Sequence, residues 1–119
     1  MKASELRIGN LFIEEHSDKI IEVIGLKKNR ITFTGNFYGK WQAKPILLTE
    51  EWLLKFGFEK MENNWKCLDL HFATISWERL AGLTLSFEKE STYLPHIKYV
   101  HQLQNLHFAL TGEELIINN

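Results

Sequence analysis

Asp69 and His71 stand two residues apart in a stretch that alternates like a strand. Both would then project from one face, a geometry that can orient an imidazole or begin a metal site. Two ligands are too few for a metal, so a solvated strand face comes first and metal ligation second. Cys67 lies in the same strand-like run, and no "GxSxG" elbow occurs elsewhere, so nucleophilic catalysis has no motif to rest on. "TEEW" at 49–52 pairs two carboxylates, but at the start of a helix they serve the helix dipole first. "GNFYG" has glycines four apart and matches neither phosphate-binding fingerprint, which leaves it as a turn. The sequence therefore predicts no catalytic residue, metal or cofactor, and an enzyme is the last of three functional readings.

The stretch "LKKNRITFTGNFYGKWQAK" offers a different chemistry. Lys27, Lys28, Arg30, Lys40 and Lys44 are interleaved with Phe33, Phe37, Tyr38 and Trp41. Cations neutralise phosphates and exposed rings stack on bases, each stack contributing roughly 1–3 kcal/mol, so this mixture suits single-stranded nucleic acid. The bland alternative sends Phe33 and Trp41 into the core and leaves the lysines as a solubilising surface. That alternative is favoured by the charge of the chain as a whole, which is -1. The charge is uneven, however. No Asp or Glu falls between Glu22 and Glu50, while the rest of the chain carries 9 basic against 15 acidic residues.

A second candidate surface is "IKYVHQLQNLHFALTGEEL", residues 97–115. At helical spacing Tyr99, Val100, Leu103, Leu106, His107 and Leu110 form one broad face, expected to meet the core. Ile97, His101, Gln104, Asn105 and Phe108 fall on the other side, which is neither wholly polar nor wholly apolar. For His101, Gln104 and Asn105 the reading is intramolecular hydrogen bonding or a protein interface rather than catalysis. His107 reads as a ring packed in the apolar face with one nitrogen hydrogen-bonded, since a metal would need further ligands.

Several elements must position these groups. A chain of 119 residues suits one domain with one real core, and 45% apolar with 24% charged residues is ordinary for a globular protein. One cysteine allows no internal disulfide, and "MKASELRIGN" lacks the apolar run of a signal peptide, so a cytoplasmic location is expected. No apolar stretch approaches the roughly 20 residues of a membrane span.

"LRIGNLFI" reads as a strand interrupted by a turn or bulge around Gly9 and Asn10, and "KIIEVIGL", "RITFT" and part of "GKWQAKPIL" read as further strands at hairpin spacing. Such a meander tends to curl into a small barrel or a twisted sheet. Thr49 caps a short helix over 50–56, Leu48 and Leu53 occupy the positions of a hydrophobic staple, and Gly57 closes it. A hairpin turning near Glu62 to Asn64 follows, with Leu68, Leu70 and Phe72 on one face, and then "LTLSF" with Leu83, Leu85 and Phe87. The last helix spans 97–110, closed by Thr111 and Gly112, and the apolar "LII" at 115–117 is expected to dock, with an edge strand as one form.

The segments "MKASELRIGN", "PILLTEEWLLKFGFEK" and "IKYVHQLQNLHFALTGEEL" together resemble a family of small uncharacterised proteins from Bacteroides-type gut bacteria and their phages or mobile elements. The likeness spans nearly the whole chain, except that 61–93 carries no such motif. In that family a Tyr often stands where this chain has His107, which implies that the position needs a ring rather than a titrating group. The resemblance implies no activity and associates the chain with an accessory role in a mobile element.

The expected architecture is a single α+β domain over 1–119: an N-terminal antiparallel β meander as a subdomain over 1–47 packed on 48–119, a short helix, a second antiparallel meander and a long C-terminal helix. The first functional expectation is a non-enzymatic binding module that holds nucleic acid through Lys27, Lys28, Arg30, Phe37, Tyr38, Lys40 and Trp41. The alternative is a protein-interaction or self-associating module, a homodimer included, that uses His101, Gln104, Asn105 and Phe108.

Overall fold

The computed structural model describes residues 5–15, 17–27, 30–34 and 43–117. It is an α+β fold with two antiparallel sheets and a C-terminal helix. The chain divides into two compact units, one of residues 1–47 with 99–106 and one of residues 48–98 with 107–119. The single domain expected over 1–119, with its subdomain at 1–47, thus meets a division in which the last helix contributes to both units.

In the first unit the sheet runs β3-β2-β1-β4 and curls into a half-barrel. Its strands are β1 (Leu11–Glu14), β2 (Ile20–Lys27), β3 (Arg30–Phe33) and β4 (Ala43–Lys44). The alternation in β2 puts Ile21 and Val23 inward, where they form the core with Leu6, Phe12 and Phe33. Phe12 and Phe33 meet edge to face, with centroids 5.6 Å apart. The β2–β3 register slips by one between Val23 and Gly25. That bulge switches the inward positions from odd to even, so Leu26 packs on the core and Lys27 faces out.

Only the second half of "LRIGNLFI" is a strand. Gly9 has φ 99, a left-handed conformation that glycine takes without cost, and its N–H bonds the Val23 carbonyl at 2.8 Å while the Asn10 carbonyl accepts from Val23 at 2.9 Å. Ile8, expected to share a strand with Leu11, is exposed in this turn.

The second unit opens with α1 (Glu50–Lys55). Thr49 Oγ1 accepts from Trp52 N at 3.4 Å, and both staple residues, Leu48 and Leu53, are buried. At the far end Phe58 N donates to Leu53 O and Gly57 N to Leu54 O, with Gly57 at φ 92. This is the Schellman closure. A five-stranded meander follows in sequence order: β5 (Glu59–Lys60), β6 (Lys66–Asp69), β7 (Thr74–Glu78), β8 (Gly82–Phe87) and β9 (Glu90–Tyr93). Ala73, Ile75, Trp77, Leu83 and Leu85 form its buried row.

The face expected from Leu68, Leu70 and Phe72 does not form. The strand ends at Asp69, His71 turns at φ 73, and Phe72 and Phe87 are exposed. In the tail Leu115 is buried, Ile116 is exposed, and 114–117 adopts no strand. The last helix, α2, is Val100–Thr111 and starts three residues later than the expected 97. No helix among the described residues is long and apolar enough to cross a membrane.

Candidate functional site

Three groups of residues bear on function. The first is the tip of the β2–β3 hairpin. Lys27 and Arg30 are directly paired Cα partners at the end of the ladder, so residues 28 and 29 alone connect them. Lys27 is exposed, and among the described residues its side chain has no ion pair or hydrogen bond. Lys44 is exposed as well, on β4 opposite Ile13. Phe33 belongs to the core, so one aromatic residue of the basic stretch is committed to packing. Lys28, Phe37, Tyr38, Lys40 and Trp41 lie outside the described residues.

The second is the polar side of α2, expected to serve intramolecular hydrogen bonding or a protein interface. His101 and Gln104 are buried, together with Val100 and Leu103. Gln104 Oε1 accepts from Leu11 N at 2.9 Å, and Gln104 Nε2 donates to Gly9 O at 3.1 Å. One turn-adjacent position on, Asn105 Oδ1 accepts from Asn10 Nδ2 at 2.8 Å and Asn105 Nδ2 donates to Glu5 O at 3.1 Å. Asn10 is itself fully buried, and its Oδ1 accepts from Arg7 N at 2.7 Å. Two amides from the helix thus satisfy backbone and side chain across the Gly9–Asn10 turn, as buried polar groups require. His101 and Gln104 are buried and Asn105 is half-buried, so of the four residues expected at an interface Phe108 is the exposed one.

His101 completes this region as a packed ring. It stacks on Phe12 with centroids 4.8 Å apart and on Tyr99 at 6.0 Å. Its Nδ1 is buried without a hydrogen-bond partner among the described residues. Burial holds its pKa below the ordinary imidazole value of 6.5, against an opposing pull from Glu5. His107, in the second unit, closes the helix: Nδ1 lies 2.9 Å from Glu113 O, and because a carbonyl can only accept, Nδ1 carries the proton. Thr111 Oγ1 donates to His107 O at 2.9 Å and Gly112 sits at φ 75, the helix end that the sequence suggests.

The third group holds the reactive types. The Asp69–His71 pair is not a shared strand face: Asp69 Oδ1 accepts from His71 N at 2.8 Å and caps the turn between β6 and β7. Cys67 Sγ donates to Ser76 Oγ at 3.4 Å across the sheet. Glu50 lies 3.1 Å from Lys60 Nζ and 3.6 Å from Lys66 Nζ, and the Lys60 hydrogen bond followed by the Lys66 charge holds its carboxyl below the usual 4.5. Lys66 is a residue that sequence reasoning passed over. A lysine that alternates with Leu68, on the expected inward side of a strand, was the available signal.

Among the described residues no group of three or more His, Cys, Asp or Glu side chains could hold a metal ion. No family model, no curated protein and no solved structure matches the chain.

Proposed function

We propose that the chain is a non-catalytic binding module whose β2–β3 hairpin engages the backbone of single-stranded nucleic acid. The observation that carries this reading is the Lys27–Arg30 pairing at the end of the β2–β3 ladder; with Lys28 next in sequence, three cations fall within four consecutive positions. No acid occurs from 23 to 49 to neutralise them. Lys44 adds a further exposed cation in the same unit. Clustered positive charge attracts phosphate without regard to sequence, and the aromatic residues Phe37, Tyr38 and Trp41 of the same stretch are of the type that stacks on bases.

A binding rather than catalytic role is supported by where the reactive side chains are spent. Asp69 holds a turn, Cys67 bonds Ser76, Glu50 is paired with two lysines and His101 is packed between rings. The resemblance to small proteins of Bacteroides-type bacteria and their phages adds, by association, an accessory role in a mobile element, and the single cysteine fits a cytoplasmic location.

Short single-stranded DNA and RNA, titrated while tryptophan fluorescence is followed, test the reading. It requires saturable binding at low salt that weakens as salt rises, and loss of that binding on combined charge reversal at Lys27, Lys28 and Arg30. Absence of binding at low salt, or binding that survives the reversal, refutes it.

A further inference from the structure

The second unit contains a pocket of about 390 Å³, within the range of small-molecule sites. The start of α1, Asn64, the first residue of β6, the end of β7 and the turn after it line this open pocket. Lys66 and Trp77 are Cα partners in the β6–β7 ladder, so their side chains project from one face of the sheet, and both line the pocket. Lys66 is only 5% exposed, which is rare for a lysine without a compelling partner.

The hydrogen bonds of Lys66 do not exhaust it. An ammonium has three donors. Lys66 Nζ donates to Asn64 O at 2.8 Å, while the Glu50 oxygen 3.6 Å away is closer to Lys60, at 3.1 Å. Arg79 lines the same pocket, is exposed, and makes no side-chain hydrogen bond or ion pair among the described residues. The two acids of the lining are engaged: Glu50 by the lysines, and Glu78 by the N–H groups of Leu80 and Ala81 at 2.9 and 2.8 Å. Leu80 stands at this pocket 84% exposed, an apolar side chain with little cover.

We propose that this pocket binds a small monoanionic carboxylate with an apolar or aromatic body. The carboxylate is held between Lys66 and Arg79, and the body lies against Trp77 and Leu80. A guanidinium presents a planar fork that matches a carboxylate, and Lys66 adds a point charge from below. The lining holds two cations, Lys66 and Arg79, and two carboxylates, Glu50 and Glu78, while Lys60, outside the lining, pairs with Glu50, so the five groups together carry one net positive charge. A dianion such as phosphate would carry excess charge toward those two acids, and its lack of an apolar body leaves Leu80 uncovered.

Benzoate, benzamide and inorganic phosphate, each titrated into the full chain under amide and indole NMR detection, distinguish the cases. Benzoate should produce saturable shifts of the Trp77 indole N–H and the Leu80 amide in the millimolar range. Benzamide and phosphate should not. Arg79→Gln, at an exposed position, should weaken benzoate by roughly tenfold. No saturable shift with benzoate, equal response to benzamide or phosphate, or unchanged affinity in Arg79→Gln would each overturn the proposal.

Discussion

The side-chain nitrogen of Asn10 donates to the side-chain oxygen of Asn105 across 2.8 Å and 95 residues of sequence. Gln104, beside it on α2, bonds the residues on either side of Asn10. The helix face with the most polar side chains is thereby an internal clamp on the N-terminal turn of the first unit.

Gln104→Met keeps the length of the side chain and removes both hydrogen bonds. Leu11 N–H and Gly9 C=O then lose their partner, and an unsatisfied buried group costs about 1–3 kcal/mol. Urea unfolding should show a loss of about 2 kcal/mol or more. A loss below about 0.5 kcal/mol would mean that water replaces the amide and that the clamp contributes little.

His101 gives the first unit a pH dependence with a definite sign. Its folded pKa lies below 6.5 because burial disfavours the imidazolium, so the unfolded chain takes up the proton first as pH falls. Stability from this residue is fully present above 6.5 and declines as pH drops below it, toward the folded value. His101→Phe preserves the stack on Phe12 and Tyr99 and removes the unpartnered Nδ1. Urea midpoints on either side of pH 6.5 should differ less in His101→Phe than in the parent chain. An equal difference in both would place the dependence elsewhere.

Gly57→Ala tests the closure of α1. The residue sits at φ 92, where a Cβ meets its own backbone, so the substitution should cost about 1–2 kcal/mol and lower the thermal midpoint by several degrees. A neutral result would show that the chain relaxes out of the Schellman bonds at 57 and 58 without loss.

Glu50→Gln tests the pairing with Lys60 and Lys66. The Glu50 carboxyl titrates below 4.5 in the folded chain, so the stability it supplies is present above 4.5 and disappears as pH falls through its lowered value. Near neutral pH the variant should be less stable than the parent, and the two should converge in acid. A constant gap across pH would assign the loss to packing instead of charge.

How far the sequence revealed these features depended on distance along the chain. The cap, staple and closing glycine of α1 lie within ten residues of one another, so local rules place it almost to the residue. The start of α2 does not obey local rules. Val100 N donates to Ile46 O at 2.7 Å, Leu47 forms a bridge with Tyr99, and Gln102 Oε1 accepts from Tyr99 N, which holds the chain extended until 99.

A helical wheel could divide α2 into two sides but could not say which side is covered. The answer depends on Gly9 and Asn10, far away in sequence. The turn at His71 was hidden by an alternation of apolar residues that continues past the end of β6. The pocket beside Lys66 depends on β6–β7 register and on α1, neither of which is encoded in one stretch. The hairpin tip was legible because its cations and its two-residue connection are adjacent in sequence.

The salt dependence of oligonucleotide affinity tests the central claim most directly. Each cation that neutralises a phosphate of a single strand contributes about -0.7 to the slope of log K against log salt, so three at the hairpin tip contribute about -2. Replacing Lys27, Lys28 and Arg30 together by Gln should make the slope shallower by about 2 and weaken binding at low salt. Equal slopes in the parent and the triple variant would contradict the assignment of phosphate binding to this hairpin.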